Sequence, residues 1–116
     1  MWITDHNIVC SYELAKRLRN IGVPQRSKFY WCKWCEPGRE PIYNVKMIPN
    51  DPGAPAAFTV SELEEMLPYE YVLFRNGNKW RFYHSYYDVY YTCKAETLAD
   101  AFASFIIQIK QNLEEK

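Results

Sequence analysis

Apolar positions along this chain switch between a helical rhythm and a two-residue alternation, and the switches mark its elements. Leu14, Leu18 and Ile21 recur at spacings of four and three. They predict a helix over Ser11–Asn20, with Ser11 as N-cap, Gly22 at the C′ position and Pro24 confirming the stop. Ser27–Trp34 alternates loosely and reads as a strand. A turn at Glu36-Pro37-Gly38 and a second strand over Pro41–Met47 complete a first hairpin. Pro49 to Pro55 is a loop by composition and is expected to form a mobile edge to a groove. Thr59-Val60-Ser61-Glu62 then matches a capping box, with Phe58 and Leu63 placed as a hydrophobic staple. Leu63, Met66 and Leu67 are expected to face inward, and Pro68 to close this second helix.

The longest β-rich stretch, Tyr69–Cys93, carries Asn76-Gly77-Asn78 at its first turn. Asn and Gly tolerate the positive φ that tight hairpins require. Two registers fit. A two-residue Asn76-Gly77 loop gathers Tyr71, Leu73, Trp80 and Phe82 on one face. A three-residue loop gathers Val72, Phe74, Trp80 and Phe82 instead, because a one-residue slip exchanges faces. The second set is wholly apolar and is the favoured expectation, despite placing Arg75 opposite Lys79. Tyr86–Cys93 follows, offering Tyr87, Val89, Tyr91 and Cys93 to one side and Tyr86, Asp88, Tyr90 and Thr92 to the other. It forms either a further strand with a tyrosine-lined open face or the continuation of one long bent strand. A last helix is predicted over Glu96–Asn112, with Leu98, Phe102, Phe105, Ile106, Ile109 and Leu113 along its buried stripe. Ile107 falls on the opposite side beside Ala99 and Ala103, and that face is the candidate for self-association as a homodimer.

The element order is therefore α-β-β-α-β-β-(β)-α. It predicts a single α+β domain over residues 1–116, with helices packed on one face of a largely antiparallel sheet. Residues 1–9 are a short lead that adds an edge strand or covers the core.

Composition changes this picture in two places. The aromatic fraction is 17%, with ten Tyr and four Trp, which is enough to fill a core and furnish a contact surface as well. Formal net charge is zero, split between eight basic and four acidic residues in 1–50 and six basic and ten acidic in 51–116. A chain so balanced lacks the basic footprint of a dedicated duplex binder. No apolar run reaches transmembrane length and no signal-peptide pattern opens the chain, so a cytoplasmic protein without membrane contact is expected. Its four cysteines are then expected as reduced thiols.

Candidate chemistry is sparse. Cys32-Lys33-Trp34-Cys35 supplies two thiolates at zinc-knuckle spacing, but a structural zinc needs four ligands. His6, Cys10, His84 and Cys93 would have to converge from distant elements. The pair also sits at a strand end, not at the helix N-terminus that redox dithiols favour. Two packed or half-exposed thiols are the expectation, with no metal and no cofactor. His84 beside Asp88 or Glu70 is the one acid–base candidate, and no nucleophile motif accompanies it. The stronger feature is a binding surface of Tyr30, Trp34, Trp80, Tyr83, Tyr86 and Tyr90. Its interleaving with Lys28, Lys33, Lys79 and Arg81 would also suit single-stranded nucleic acid.

Cys10-Ser11-Tyr12-Glu13-Leu14-Ala15-Lys16-Arg17-Leu18, Phe29-Tyr30-Trp31, the Ala57–Pro68 run AFTVSELEEMLP and Glu96-Thr97-Leu98-Ala99-Asp100-Ala101 carry a resemblance through most of the chain. The sequence resembles small uncharacterised proteins of phages and prophages in bacterial genomes. It departs from their pattern at Leu98, and the Cys32/Cys35 pair belongs to no motif of theirs. That resemblance implies a phage context and no activity. The expectation is a non-enzymatic accessory protein that binds a host or phage protein. The alternatives are a small single-stranded nucleic-acid-binding module and an enzyme centred on His84.

Overall fold

The computed structural model describes residues 9–67, 70–84 and 88–114. Residues 1–8 of the expected lead, His6 among them, and Pro68, Tyr69, Tyr86 and Tyr87, all named above, lie outside them. Along the described residues run α1 (Tyr12–Asn20), β1 (Tyr30–Trp34), β2 (Ile42–Lys46), α2 (Val60–Met66), β3 (Tyr71–Asn76), β4 (Lys79–His84), β5 (Val89–Lys94) and α3 (Leu98–Glu114). This is the α+β order that the sequence predicts. The strands form two antiparallel sheets, however, β1-β2 and β3-β4-β5, where one had been expected.

Local chemistry sets each boundary. The Ser11 hydroxyl accepts the Leu14 N–H at the start of α1. At its end Gly22 takes φ +93, the Gly22 N–H donates to Arg19 O and the Val23 N–H to Leu18 O. This Schellman arrangement satisfies two orphan carbonyls and buries Val23 against Leu18. The α2 capping box forms as predicted, with Thr59 Oγ1 accepting the Glu62 N–H and Glu62 Oε1 accepting the Thr59 N–H. Phe58 and Leu63 are both fully buried. Met66 is not inward-facing: it is exposed, and Leu67 beyond the helix takes the inner position.

The loop after β2 corrects another expectation. Only its first half is exposed. Ala54 to Phe58 are buried and run beside β1, exchanging Trp31 N–H→Pro55 O and Ala57 N–H→Phe29 O bonds. Asp51 ties the Gly53 and Ala54 amides into a turn, and the Arg19 guanidinium donates to the Gly53 carbonyl. The segment is an ordered seam, because its backbone groups are spent on β1 and on Cys10 N–H→Phe58 O.

Helix α3 is the hub, contacting α1, α2 and β5. Phe102 and Phe105 meet the inner face of the larger sheet through Tyr71 and Phe82. The opposite stripe of Ala99, Ala103 and Ile107 is equally buried, which removes the candidate self-association face. Helices α1 and α2 pack on α3 as well, and a helix apolar all round belongs in a core.

Candidate binding face

The β3–β4 hairpin turns on Gly77-Asn78, with Asn76 opposite Lys79. Neither expected register is correct, and the favoured one is overturned. Gly77 takes φ +63 while Asn78 stays at negative φ, the pattern of a type II′ turn with Gly at its first central position. This register lies two residues from the Asn76-Gly77 alternative, so it preserves that alternative's faces. Tyr71 and Leu73 join Trp80, Phe82 and His84 inside, where Phe82 packs on Tyr71, Tyr91 and Phe105. Strand β5 returns as a separate antiparallel strand, its Val89, Tyr91 and Cys93 half-buried on the same side.

The outer face holds three cross-strand rows. Val72, Tyr83 and Tyr90 form the first, Phe74, Arg81 and Thr92 the second, and Asn76, Lys79 and Lys94 the third. Val72, Phe74 and Tyr90 are 46%, 53% and 54% exposed. The Arg81 guanidinium lies 4.8 Å from the Tyr90 ring centre, and Tyr83 packs on Tyr90 at 4.6 Å. Phe74, Lys79, Arg81, Tyr90, Thr92 and Lys94 line an open depression of about 650 Å³. No carboxylate pairs with Lys79, Arg81 or Lys94 among the described residues. Lys79 and Lys94 stand directly opposite each other, an arrangement that costs stability in the free protein.

The predicted binding residues scatter. Tyr83 and Tyr90 lie on this outer face, and Tyr86 is outside the described residues. Trp80 is buried at 5% exposure, its indole N–H bonded to Ala95 O at 2.8 Å and its ring covered by Arg75. It is a core residue because alternation in β4 turns it inward. Tyr30 is half-buried, paired with Ala56 and Lys46. Trp34 is exposed on the other sheet, opposite Ile42 and beneath the Lys46 ammonium. The two basic–aromatic clusters therefore do not form one surface. Val72, Phe74 and Lys94 went unrecognised, although the absence of any acid between residues 71 and 87 signalled a local basic excess.

The remaining candidates separate too. His84 is buried on the inner face, while Asp88, at φ +51, accepts the Tyr83 hydroxyl at 2.9 Å beside the outer one. That hydrogen bond to a carboxylate raises the Tyr83 phenol above its ordinary pKa. Cys32 is buried with its thiol directed at the Tyr30 and Ile48 carbonyls, whereas Cys35 is exposed. No group of three or more His, Cys, Asp or Glu side chains converges among the described residues. Burial pushes the Cys10 thiol up to about 12 and the Cys93 thiol up to about 11, so neither is an activated nucleophile. No described helix is long and apolar enough to cross a membrane. No family model, curated protein or solved structure matches this chain.

Proposed function

We propose that this is a non-enzymatic interaction protein whose outer β3-β4-β5 face docks an acidic segment of a partner protein. The observation that carries the reading is the facing Lys79–Lys94 pair, with Arg81 beside it and no carboxylate paired with any of the three among the described residues. An anionic partner would relieve that repulsion, and exposed Val72 and Phe74 would anchor its apolar side chains. A protein suits the face better than a nucleic-acid strand. Tyr83, Tyr90 and Arg81 already stack on one another, which occupies ring surface that bases would need. The resemblance to phage and prophage proteins points to a host or phage protein as that partner.

Selection from a random peptide display library tests the reading. Enriched peptides should combine Asp or Glu with a bulky apolar residue, bind more weakly as salt rises, and lose binding to Lys79→Glu/Lys94→Glu. Peptides without acids, or peptides indifferent to that double variant, would refute it. Tighter binding of oligothymidylate than of any selected peptide would transfer the surface to nucleic acid.

A further inference from the structure

We propose that the free edge of β3 pairs with β3 of a second copy of this chain. The two strands run antiparallel, centred on Leu73, and join two three-stranded sheets into one. The argument begins with hydrogen-bond parity. A two-residue loop makes its flanking pair, Asn76 and Lys79, a hydrogen-bonded one. Alternation then commits Val72 and Phe74 to β4 and directs the backbone N–H and C=O of Tyr71, Leu73 and Arg75 at the free edge. Two observed bonds obey the same alternation. Asn78 O accepts the Ala95 N–H at 2.8 Å on the far side of β4, and Thr92 O points outward from β5 to accept Gln108 Nε2 at 3.0 Å.

The two edges of this sheet are thus unequal. Helix α3 reaches the β5 edge through Gln108, while no described strand pairs with the outer edge of β3. Natural edge strands are protected by lysine, proline, bulges or shortness. Strand β3 runs six residues, YVLFRN, without lysine, proline or a break in its register.

The strand is also self-complementary. A two-fold axis normal to the sheet keeps outer residues outer, so a residue must face one of its own parity. Centring on Leu73 meets this condition and places outward-directed groups opposite each other. Leu73 faces Leu73 of the second copy, and Tyr71 faces Arg75 of the second copy. On the outer side exposed Val72 meets Phe74 of the second copy, an aromatic–β-branched pair. Arg75 of each copy thus stands across from the other copy's Tyr71, whose hydroxyl donates to Glu64 at 3.3 Å, so opposite charges flank the join. Centring on Phe74 would bring only Leu73 and Arg75 into hydrogen-bonded pairs and set Tyr71 opposite Gly77 of the turn, so fewer outward-directed groups would be met. The paired sheets carry Val72 and Phe74 of both copies in the middle and a basic cluster at each side.

Sedimentation analysis of the full chain, without any partner, tests the pairing and is independent of the acidic-partner reading. Mass should rise reversibly with concentration from 13.9 kDa to twice that value. Arg75→Pro removes an outward N–H from each copy and leaves the β3–β4 ladder whole, because Arg75 and Trp80 form a non-hydrogen-bonded pair. It should raise the dimer dissociation constant at least ~10-fold, while Arg75→Ala, which keeps the N–H, weakens pairing less. Thermal melting confirms that each variant folds. In a Cys35→Ser background, Leu73→Cys should oxidise to a covalent dimer, since opposed residues of a hydrogen-bonded pair lie about 5.5 Å apart. Val72→Cys, offset from its own copy, should not. A monomer at every concentration, a dimer indifferent to Arg75→Pro, or equal cross-linking at both positions would overturn the proposal. Retained dimerisation in Lys79→Glu/Lys94→Glu keeps the two readings separable.

Discussion

Glu62 joins more of this fold than its place on a solvent-facing helix turn suggests. Its Oε1 accepts the Thr59 N–H at 2.9 Å and the Ser27 hydroxyl at 2.7 Å, and its Oε2 accepts the Lys28 N–H at 3.1 Å. One carboxylate thus closes the α2 cap and holds the chain entering β1. Glu62→Ala removes three charge-assisted bonds and leaves two backbone amides to find water. Bonds to charged groups contribute about 1.5–3 kcal/mol each when well buried. The site is only part-buried and the three share one anchor, so a total of about 2–4 kcal/mol is expected, not their sum. Urea denaturation measures it directly, and the midpoint should fall without a change in slope. Glu62→Gln keeps one acceptor but turns its NH2 toward an N–H donor, so about half the loss should remain. A double-mutant cycle with Ser27→Ala should give a coupling of about 1 kcal/mol. A Glu62→Ala loss below about 1 kcal/mol, or no coupling to Ser27, would refute the view of Glu62 as the joint between α2 and β1.

Gly77→Ala should destabilise by about 1–2 kcal/mol in the same assay, purely from its positive φ, since an added Cβ meets nothing within 4 Å. Ile107→Ala should cost about 2–5 kcal/mol as a cavity between helices, where an exposed position would cost almost nothing. Stability should fall as pH rises from about 9 toward 12. The unfolded Cys10 thiol releases its proton in that window and the folded one retains it, so the slope of unfolding free energy is negative. Cys10→Ala should flatten that limb of the denaturation profile. In native protein a maleimide should label exposed Cys35 well before buried Cys10 and Cys32, and all should react together in denaturant.

The helices were legible from short-range chemistry. Ser11, Gly22 and the Thr59–Glu62 box act within a turn of their own backbone, so the sequence that encodes them also contains their partners. Faces were legible only where one register was possible. Alternation places Val89, Tyr91 and Cys93 together on one side of β5, and the structure makes that side the inner one. In β3 the same rule failed, because three turn-forming residues in a row allow more than one loop. An apolar tally favoured Val72 and Phe74 for the core, while the structure gives that place to Tyr71 and Leu73. Tyr71 buries its ring on Phe82 and keeps its hydroxyl on Glu64, an amphipathic compromise that hydrophobicity alone undervalues.

By itself, then, the sequence determined the α+β order, the caps, the turn residues and the absence of a recognisable catalytic motif. Each depends on residues a few positions apart. Only the tertiary structure decided that the strands divide into two sheets and that α3 is buried on both flanks. It also decided that Lys79, Arg81 and Lys94 gather on one face beside Phe74. These depend on which distant segments compete for the same buried area. The seam at Ala54–Phe58 claims the edge of β1, and helices α1 and α2 pack on α3, whose Ile107 is buried. A chain whose charges sum to zero can hold a basic face for the same reason, since position in space, not total, sets the local field.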